Sequence, residues 1–465
     1  MQIIADLQIH SKYSRAVSQQ MVIPQIWEWA KRKGIGLVAT GDWTHPLWMR
    51  EIKANLEETG NGLLKLKIQN PNDKFQMEEG GPLFLLATEV SSIYSQGGKL
   101  RRIHNLIWSP TIETADKINK ELISRGANLI ADGRPIIGLT SIQVAELVLS
   151  INPNCLLIPA HAWTPWFSLY GSESGFDSID ECFGSFSKYI YAIETGLSSS
   201  PAMNWRIKEL DTRSIVSFSD AHSGPKLGRE ATVFVMNENG ITNDKLQMTN
   251  EKGNITYKDI RSAIMQKTGK WKIGYTIEFY PEEGKYHYTG HRSCGVKQDP
   301  SQTKQKGTIC PVCGKKLTVG VMHRVEQLAG RTEEELRIRK QELSGTQIKG
   351  IFSDTFPDRP AFVMLVPLQE ILAEAIGGLP ASQNVQNEYK KLTDSFGGEF
   401  EVLLGTSIPD ISKISGPRIA EAIDRVRRGE IVVDPGFDGV FGIVKIWGNE
   451  KEKAAEQTKD QLSLF

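Results

Sequence analysis

Asp6, Gln8 and His10 alternate in the stretch IIADLQIHS, so on an extended chain they share one face. Imidazole and carboxylate at a strand tip suit a first-row metal ion, and the apolar residues before them supply the strand. An imidazole at the middle position would complete a chelating trio; Gln8 stands there instead. The pairing of apolar run and polar tip recurs. Asp42 and His45 follow IGLVAT, Glu89 follows FLLAT, and His104 lies in KLRRIHNLIW. His161 follows CLLIPA, Glu194 follows YAI, and Asp220 and His222 follow SIVSFS. Five of the eight histidines thus stand at expected strand ends. A single histidine there is most simply a hydrogen-bonded core or surface residue. Jointly they suit a multinuclear phosphoesterase: one ion lowers the pKa of a water, and its neighbours hold the attacked phosphate and the leaving oxygen. Asp6 reads as a residue that orients a histidine, and Glu194 as the same or as a structural acid near the rim.

A second constellation lies further on. Cys310-Pro-Val-Cys313-Gly is a knuckle whose two thiolates can share one ion. His291-Arg-Ser-Cys294 has the same spacing, so a structural zinc on three cysteines and one histidine is expected, with His287 the rival for the fourth place. The other reading is a redox pair, but no thioredoxin-like βαβ pattern surrounds it. Cys155 and Cys182 stand alone as incidental thiols. Lys315, Lys316 and Arg324 lie beside the cluster, and Arg418, Arg427 and Arg428 line SGPRIAEAIDRVRRGE. Both groups read as backbone contacts for nucleic acid or as the wet faces of packed elements. Trp163, Trp166, Phe167 and Tyr170 crowd the loop after His161. They can wall a pocket for an unstacked base, or simply anchor the loop.

These residues need a frame. Across 1–282, short β-rich runs alternate with helical patterns such as IPQIWEWAKRKG, which predicts an α/β domain with a barrel of strands. Residues 283–325 are polar and glycine-rich, and form the expected zinc ribbon. The stretch 326–450 reads as mainly helical, with RTEEELRIRKQEL, PLQEILAEAIG and the arginine-rich segment as helices and VFGIVKIW as a closing strand. A flexible tail fills 451–465. The 465 residues carry 55 basic and 55 acidic side chains, so any nucleic-acid contact must come from local patches rather than bulk charge. No apolar run is long enough to span a membrane and no leader pattern opens the chain, so cytoplasmic residence is expected.

The segments ADLQIHSKYSRA, TGDWTHPLW, TEVSSIY, RRIHNLIWSP, PAHAWTPWFSLYG, IETGLSSSP and SFSDAHS resemble the successive motifs of the PHP-domain superfamily. Within it they resemble endonuclease Q, which nicks DNA beside deaminated bases, and the resemblance runs over nearly the whole chain. It implies a distorted β/α barrel holding up to three ions, then the zinc ribbon and a helical DNA-binding domain. Carried over, one ion would use His10, Glu89 and Asp220; a second Glu89, His104 and His161; a third the Asp42–His45 region and His222. Asp220, His222 and His161 would carry catalysis. Gln8 departs from the superfamily's usual histidine, leaving open weaker binding, a harder metal, or a shell completed by water. Zinc is implied for the ribbon and the catalytic site, with Mg2+ or Mn2+ able to support activity. The implied partner is DNA, single- or double-stranded, with uracil, hypoxanthine, xanthine or an abasic site, cut on the 5′ side to leave 3′-hydroxyl and 5′-phosphate ends. Gln461, Leu462, Leu464 and Phe465 resemble a motif for docking on a sliding clamp. Two other readings remain: a histidinol-phosphatase-like enzyme on the same barrel, and a DNA-binding scaffold weakened at Gln8.

Overall fold

The computed structural model describes residues 1–67, 81–237 and 255–448. Its frame is a distorted barrel. The strand Gln2–Asp6 pairs in parallel with Leu37–Ala39 and antiparallel with Ala231–Met236. Leu37–Ala39 continues in parallel to Leu83–Gln96, which forms a hairpin with Lys99–Ser109. Gly97 and Gly98 turn that hairpin with φ of 61° and 72°, values that side chains disfavour. Lys99–Ser109 then pairs antiparallel with Leu156–Pro159. Two short parallel strands, Ala192–Glu194 and Ser214–Val216, carry the wall onward. The Ala162 N–H donates to the Glu194 carbonyl on one side, and Ser217 and Thr232 bond mutually on the other, so the ring of strands closes.

Outside the wall, helices cover the barrel by burying one stripe each. In Ile23–Lys33 the buried residues Ile23, Ile26, Trp27 and Ala30 follow helical spacing, Pro24 opens the first turn, and Gly34 ends it at φ 80°. Asp6 ends the first strand, and Gln8 and His10 lie just beyond it, where Ile9 bridges Ala221. Glu89 and His104 lie within the long hairpin rather than at strand ends. The register pairs Ser91 with His104, so Glu89, Ser91 and His104 share one face.

The boundary expected at residue 326 does not separate sheet from helix. Trp271–Glu278 joins the barrel sheet, and Ala361–Met364, Lys349–Ser353 and Ile338–Glu342 extend it outward. IRKQE is thus an edge strand with every residue exposed, not the helix its charges suggested. Its Lys, Arg and Glu favour helix locally, but charged residues also protect an open sheet edge. Beyond that sheet, helices run through Leu368–Ile376, Gln383–Phe396, Ile408–Ser415 and Pro417–Arg428. The closing strand is Ile443–Lys445, paired with Val432–Asp434. Among the described residues no helix is long and apolar enough to cross a membrane.

A buried ion pair ties the helices to the barrel. Lys33 Nζ lies 2.6 Å from Glu399 Oε2, with side chains 2% and 4% exposed. Tyr389 and the Leu368 N–H complete the carboxylate's shell. Lys33→Met strands that carboxylate, and the expected loss is about 3–5 kcal/mol in urea unfolding. Glu278 is a second buried acid, hydrogen-bonded by the Ser217 and Thr276 hydroxyls. Burial pushes it up to about 7, against those hydroxyls. The folded state therefore binds its proton more tightly than the unfolded chain, and stability falls as pH rises from ordinary carboxylate values to about 7. Glu278→Gln mimics the protonated form, and its urea midpoint should vary less over that window.

Candidate active site

Four chain-distant elements deliver their side chains to one mouth of the barrel. His10 Nε2 lies 3.0 Å from both Glu89 Oε2 and Asp220 Oδ1. Its Nδ1 meets Asp42 Oδ1 at 2.9 Å. Asp42 in turn accepts from the Ser11 N–H and from the Ser11 and Ser14 hydroxyls, which fixes its carboxylate and hence the His10 ring. Glu89 is central. Its Oε2 accepts from Gln8 Nε2 at 3.1 Å, and its Oε1 faces His104 Nδ1 and His161 Nε2, the latter at 3.3 Å. His104 Nε2 is 3.1 Å from the Ser91 hydroxyl, the cross-strand partner named above. Asp220 also sits beside His222, whose Nδ1 lies 2.8 Å from the Asp220 carbonyl.

Two groups of donors can each hold an ion: His10, Asp220 and His222, and Glu89, His104 and His161, with the atoms of each within 4.8 Å of one another. The fit is supported by buried polar atoms that lack a hydrogen-bond partner among the described residues. These are Gln8 Oε1 and Glu194 Oε1. Native interiors rarely leave such atoms unmatched. Backbone strain converges here too. Asp42, His161 and Asp220 hold φ of 41°, 31° and 48°, which non-glycine residues seldom adopt outside functional sites.

Electrostatics follow the same geometry. Burial would raise Glu89, but His104, Arg134 and His10 hold it well below the carboxylate range. Burial alone would lower His10; Asp42, Asp220 and Glu89 push it well above its ordinary value. Asp220 is carried to about 2 by His10, against burial. Burial lowers His104 to about 4, so its ring is neutral at pH 7 and able to ligate.

Other expected residues sit differently. Asp6 is fully buried and accepts from the Ser219 N–H, the Ser219 hydroxyl and the Gly228 N–H, which anchors the segment leading to Asp220. Glu194 accepts the His161 N–H at 2.7 Å and so positions that residue's backbone. His45 is not brought into either donor group. Its Nε2 pairs with the Ile130 carbonyl at 3.2 Å, and its ring stacks on Tyr13. Asp42 reaches the mouth through His10.

Trp163 and Tyr170 do not wall a pocket. Both are fully buried, their rings tilted with centroids 4.7 Å apart, and their polar atoms are bonded to Asn204 and Glu209. Trp166 and Phe167 are half-buried, and the Phe167 ring lies 4.8 Å from that of His104. Arg324 and Arg427 are not free for a phosphate. Arg427 donates to the Val402, Leu403 and Thr406 carbonyls, and Arg324 to those of Tyr170 and Phe176. Arg418 donates to the Ala375 carbonyl and packs on Trp447. Arg428 pairs with Asp424 and Glu430, and Lys316 faces Glu173 at 3.5 Å, while Lys315 is exposed. A basic residue's letter does not say whether it caps carbonyls or faces water.

Sequence reasoning missed Arg134, whose guanidinium lies 3.6 Å from Glu89 Oε2 and is a quarter exposed at the mouth. It sits in the turn DGRP, which carries no periodic signal. At the ribbon, His291 joins Cys294, Cys310 and Cys313 with ligand atoms within 4.8 Å, while buried His287 lies outside that group. The clamp-type residues Gln461, Leu462, Leu464 and Phe465 lie outside the described residues.

Gln8 offers an ion an amide carbonyl where an imidazole would bind more tightly. Gln8→His should raise zinc affinity at the mouth on the order of tenfold. Competition against a chromogenic chelator, in a variant lacking the ribbon cysteines, measures it.

Comparison with known proteins places these findings. A family profile described as the MJ0043 C-terminal domain matches residues 367–430. The protein MJ0043 of Methanocaldococcus jannaschii is 29% identical over 306 residues, 65% of this chain; the match spans only a third of that protein's own length. The crystal structure of the lesion-specific endonuclease PfuEndoQ from Pyrococcus furiosus is 30% identical with a TM-score of 0.76, over 96% of this chain and 95% of that one. A structure of endonuclease Q with a 27-mer duplex bearing an abasic lesion at the active site matches at 30% identity and TM-score 0.76, covering 97% and 98%.

Proposed function

This chain belongs to the endonuclease Q family, and from that premise we propose that it nicks DNA on the 5′ side of a deaminated base or abasic site. The observation that carries this reading is the convergence of His10, Glu89 and Asp220 on one point, with His104 and His161 on the far side of the same Glu89 carboxylate. That is a two-sided carboxylate flanked by imidazoles, the donor set a phosphodiesterase needs. His10, Asp220 and His222 would hold one ion, and Glu89, His104 and His161 another. Bound there, divalent ions supply Lewis-acid polarisation of the phosphate and a nucleophilic water at neutral pH. The chain's own residues do the rest. Asp42 and its serine donors lock the His10 ring. Arg134 places a fixed positive charge beside Glu89, where a phosphate oxygen can be held. Phe167, against His104, offers a flat surface close to the scissile bond, and a flipped base or the gap it leaves requires such a surface. The ends left are 3′-hydroxyl and 5′-phosphate.

Manganese, magnesium and zinc are each candidates for the mouth, and zinc for the ribbon. We read the Gln461–Phe465 segment as a clamp-docking peptide; its deletion should abolish clamp pull-down and spare nicking of short duplexes. The nuclease reading is tested with a uracil- or abasic-containing duplex and each metal in turn. A nick immediately 5′ to the lesion supports it. Tight binding without a nick under every metal, or turnover of sugar phosphates alone, overturns it.

A further inference from the structure

A cavity of about 530 Å³ opens where the strands Ser214–Val216, Trp271–Glu278 and Ala361–Met364 begin. Asp220 and His222 follow the opposite end of the first of these strands. The cavity therefore lies across the barrel from the catalytic mouth and shares no residue with it. Its volume is in the range of small-ligand sites, about 300–1,000 Å³.

The lining is unevenly charged. Arg213, Lys267, Lys272 and Arg359 contribute four cations, against Asp211 and Asp358. Asp211 is already neutralised, because it accepts from Arg359 at 2.9 Å and from both terminal nitrogens of Arg331. Phe356 packs against the guanidinium groups of Arg331 and Arg359 at 4.8 and 4.7 Å, which fixes Arg359 in place. Even so, Arg359 Nη1 and Arg213 Nε are buried without a hydrogen-bond partner among the described residues. The Lys267 and Lys272 ammonium groups, on exposed residues, also lack one among the described residues. Unmatched buried donors are rare in native interiors, and both of these belong to residues of one lining. Beside them, Ile215, Ile273 and Pro360 give an apolar wall.

We propose that this cavity binds a small organic phosphate of nucleotide size, with its anionic group on Arg213, Arg359 and the two lysines and its body against Ile215 and Ile273. The site stands independently of the nuclease reading. The lysines would meet the phosphate and supply the field that draws it in, beside the fixed charges of the two arginines.

Titration calorimetry on the full chain tests this with dAMP as the probe. One-to-one binding is expected. The exposed pair Lys267→Glu with Lys272→Glu should weaken it about tenfold or more, while nicking of an abasic duplex is unchanged. Glu89→Gln, which disables the catalytic mouth, should leave the dAMP affinity as it was. Deoxyadenosine, with no phosphate, and inorganic phosphate, with no apolar body, should each bind at least about tenfold more weakly. The proposal is overturned by an absence of saturable dAMP binding, or by equal affinity for dAMP and either fragment. It is equally overturned if Glu89→Gln removes binding and the lysine pair does not.

Discussion

Asp220→Asn is expected to reduce single-turnover nicking of a lesion-bearing duplex by about a thousandfold, equivalent to about 4 kcal/mol of transition-state stabilisation. Asparagine is the informative replacement. Asp220 has φ 48°, a conformation asparagine tolerates, so the backbone is left as it is. What changes is the charge on an oxygen 3.0 Å from His10 Nε2. Its side chain is 26% exposed at the rim. Duplex affinity and urea stability should stay near those of the parent. A rate within tenfold of the parent would remove Asp220 from the catalytic machinery.

The second large effect comes from outside the mouth. The loop from His161 to Asp177 folds tightly on itself: a side-chain carbon added at Gly175 would meet the Gly171 nitrogen at 2.3 Å. It places Phe167 against the His104 ring, and the Phe167 carbonyl accepts the His104 N–H. Arg324, on the helix Val321–Leu328, holds this loop. Its Nε donates to the Tyr170 carbonyl at 2.9 Å and its Nη2 to that of Phe176 at 3.1 Å, and it pairs with Asp177. Ser172 adds a bond to the Val319 carbonyl. Arg324 is therefore a positioning residue acting through the loop on His104. Arg324→Ala should lower kcat about a hundredfold, the usual cost of a misplacement near 1 Å, with little change in KM. Arg324→Lys should not rescue it, because an ammonium cannot reproduce the forked geometry. Cys313→Ser, at the exposed edge of the ribbon, should shift kcat in the same direction. A drop in thermal stability with kcat intact would mean the clamp serves the fold alone.

What was legible in advance follows from the range of the physics. His10, Glu89, His104, His161 and Asp220 could be marked because each adjoins an apolar run long enough to be a strand. Their meeting is then a consequence of closing the barrel. The Cys310–Cys313 knuckle is a local turn, so its spacing alone exposes it. Arg134 escaped because its role depends on a turn crossing the mouth from a distant part of the chain. Trp163 and Tyr170 read equally as pocket walls or as loop anchors, since aromatic letters do not reveal which way a loop faces; Asn204 and Glu209, which satisfy them, lie far along the chain. The edge strand Ile338–Glu342 misled for a related reason: pairing with a neighbour overrides the local preference of Arg, Lys and Glu. Arg427 reads as a phosphate contact or as part of a wet helix face, yet the carbonyls of Val402, Leu403 and Thr406 claim it.

The most direct test of the central claim is anomalous scattering from crystals of the full chain equilibrated with manganese or zinc. Peaks are expected within about 2.0–2.3 Å of the His10–Asp220–His222 donors and of the Glu89–His104–His161 donors, besides the one at the ribbon cysteines. A single peak at the ribbon, with an empty mouth at saturating metal, would contradict it.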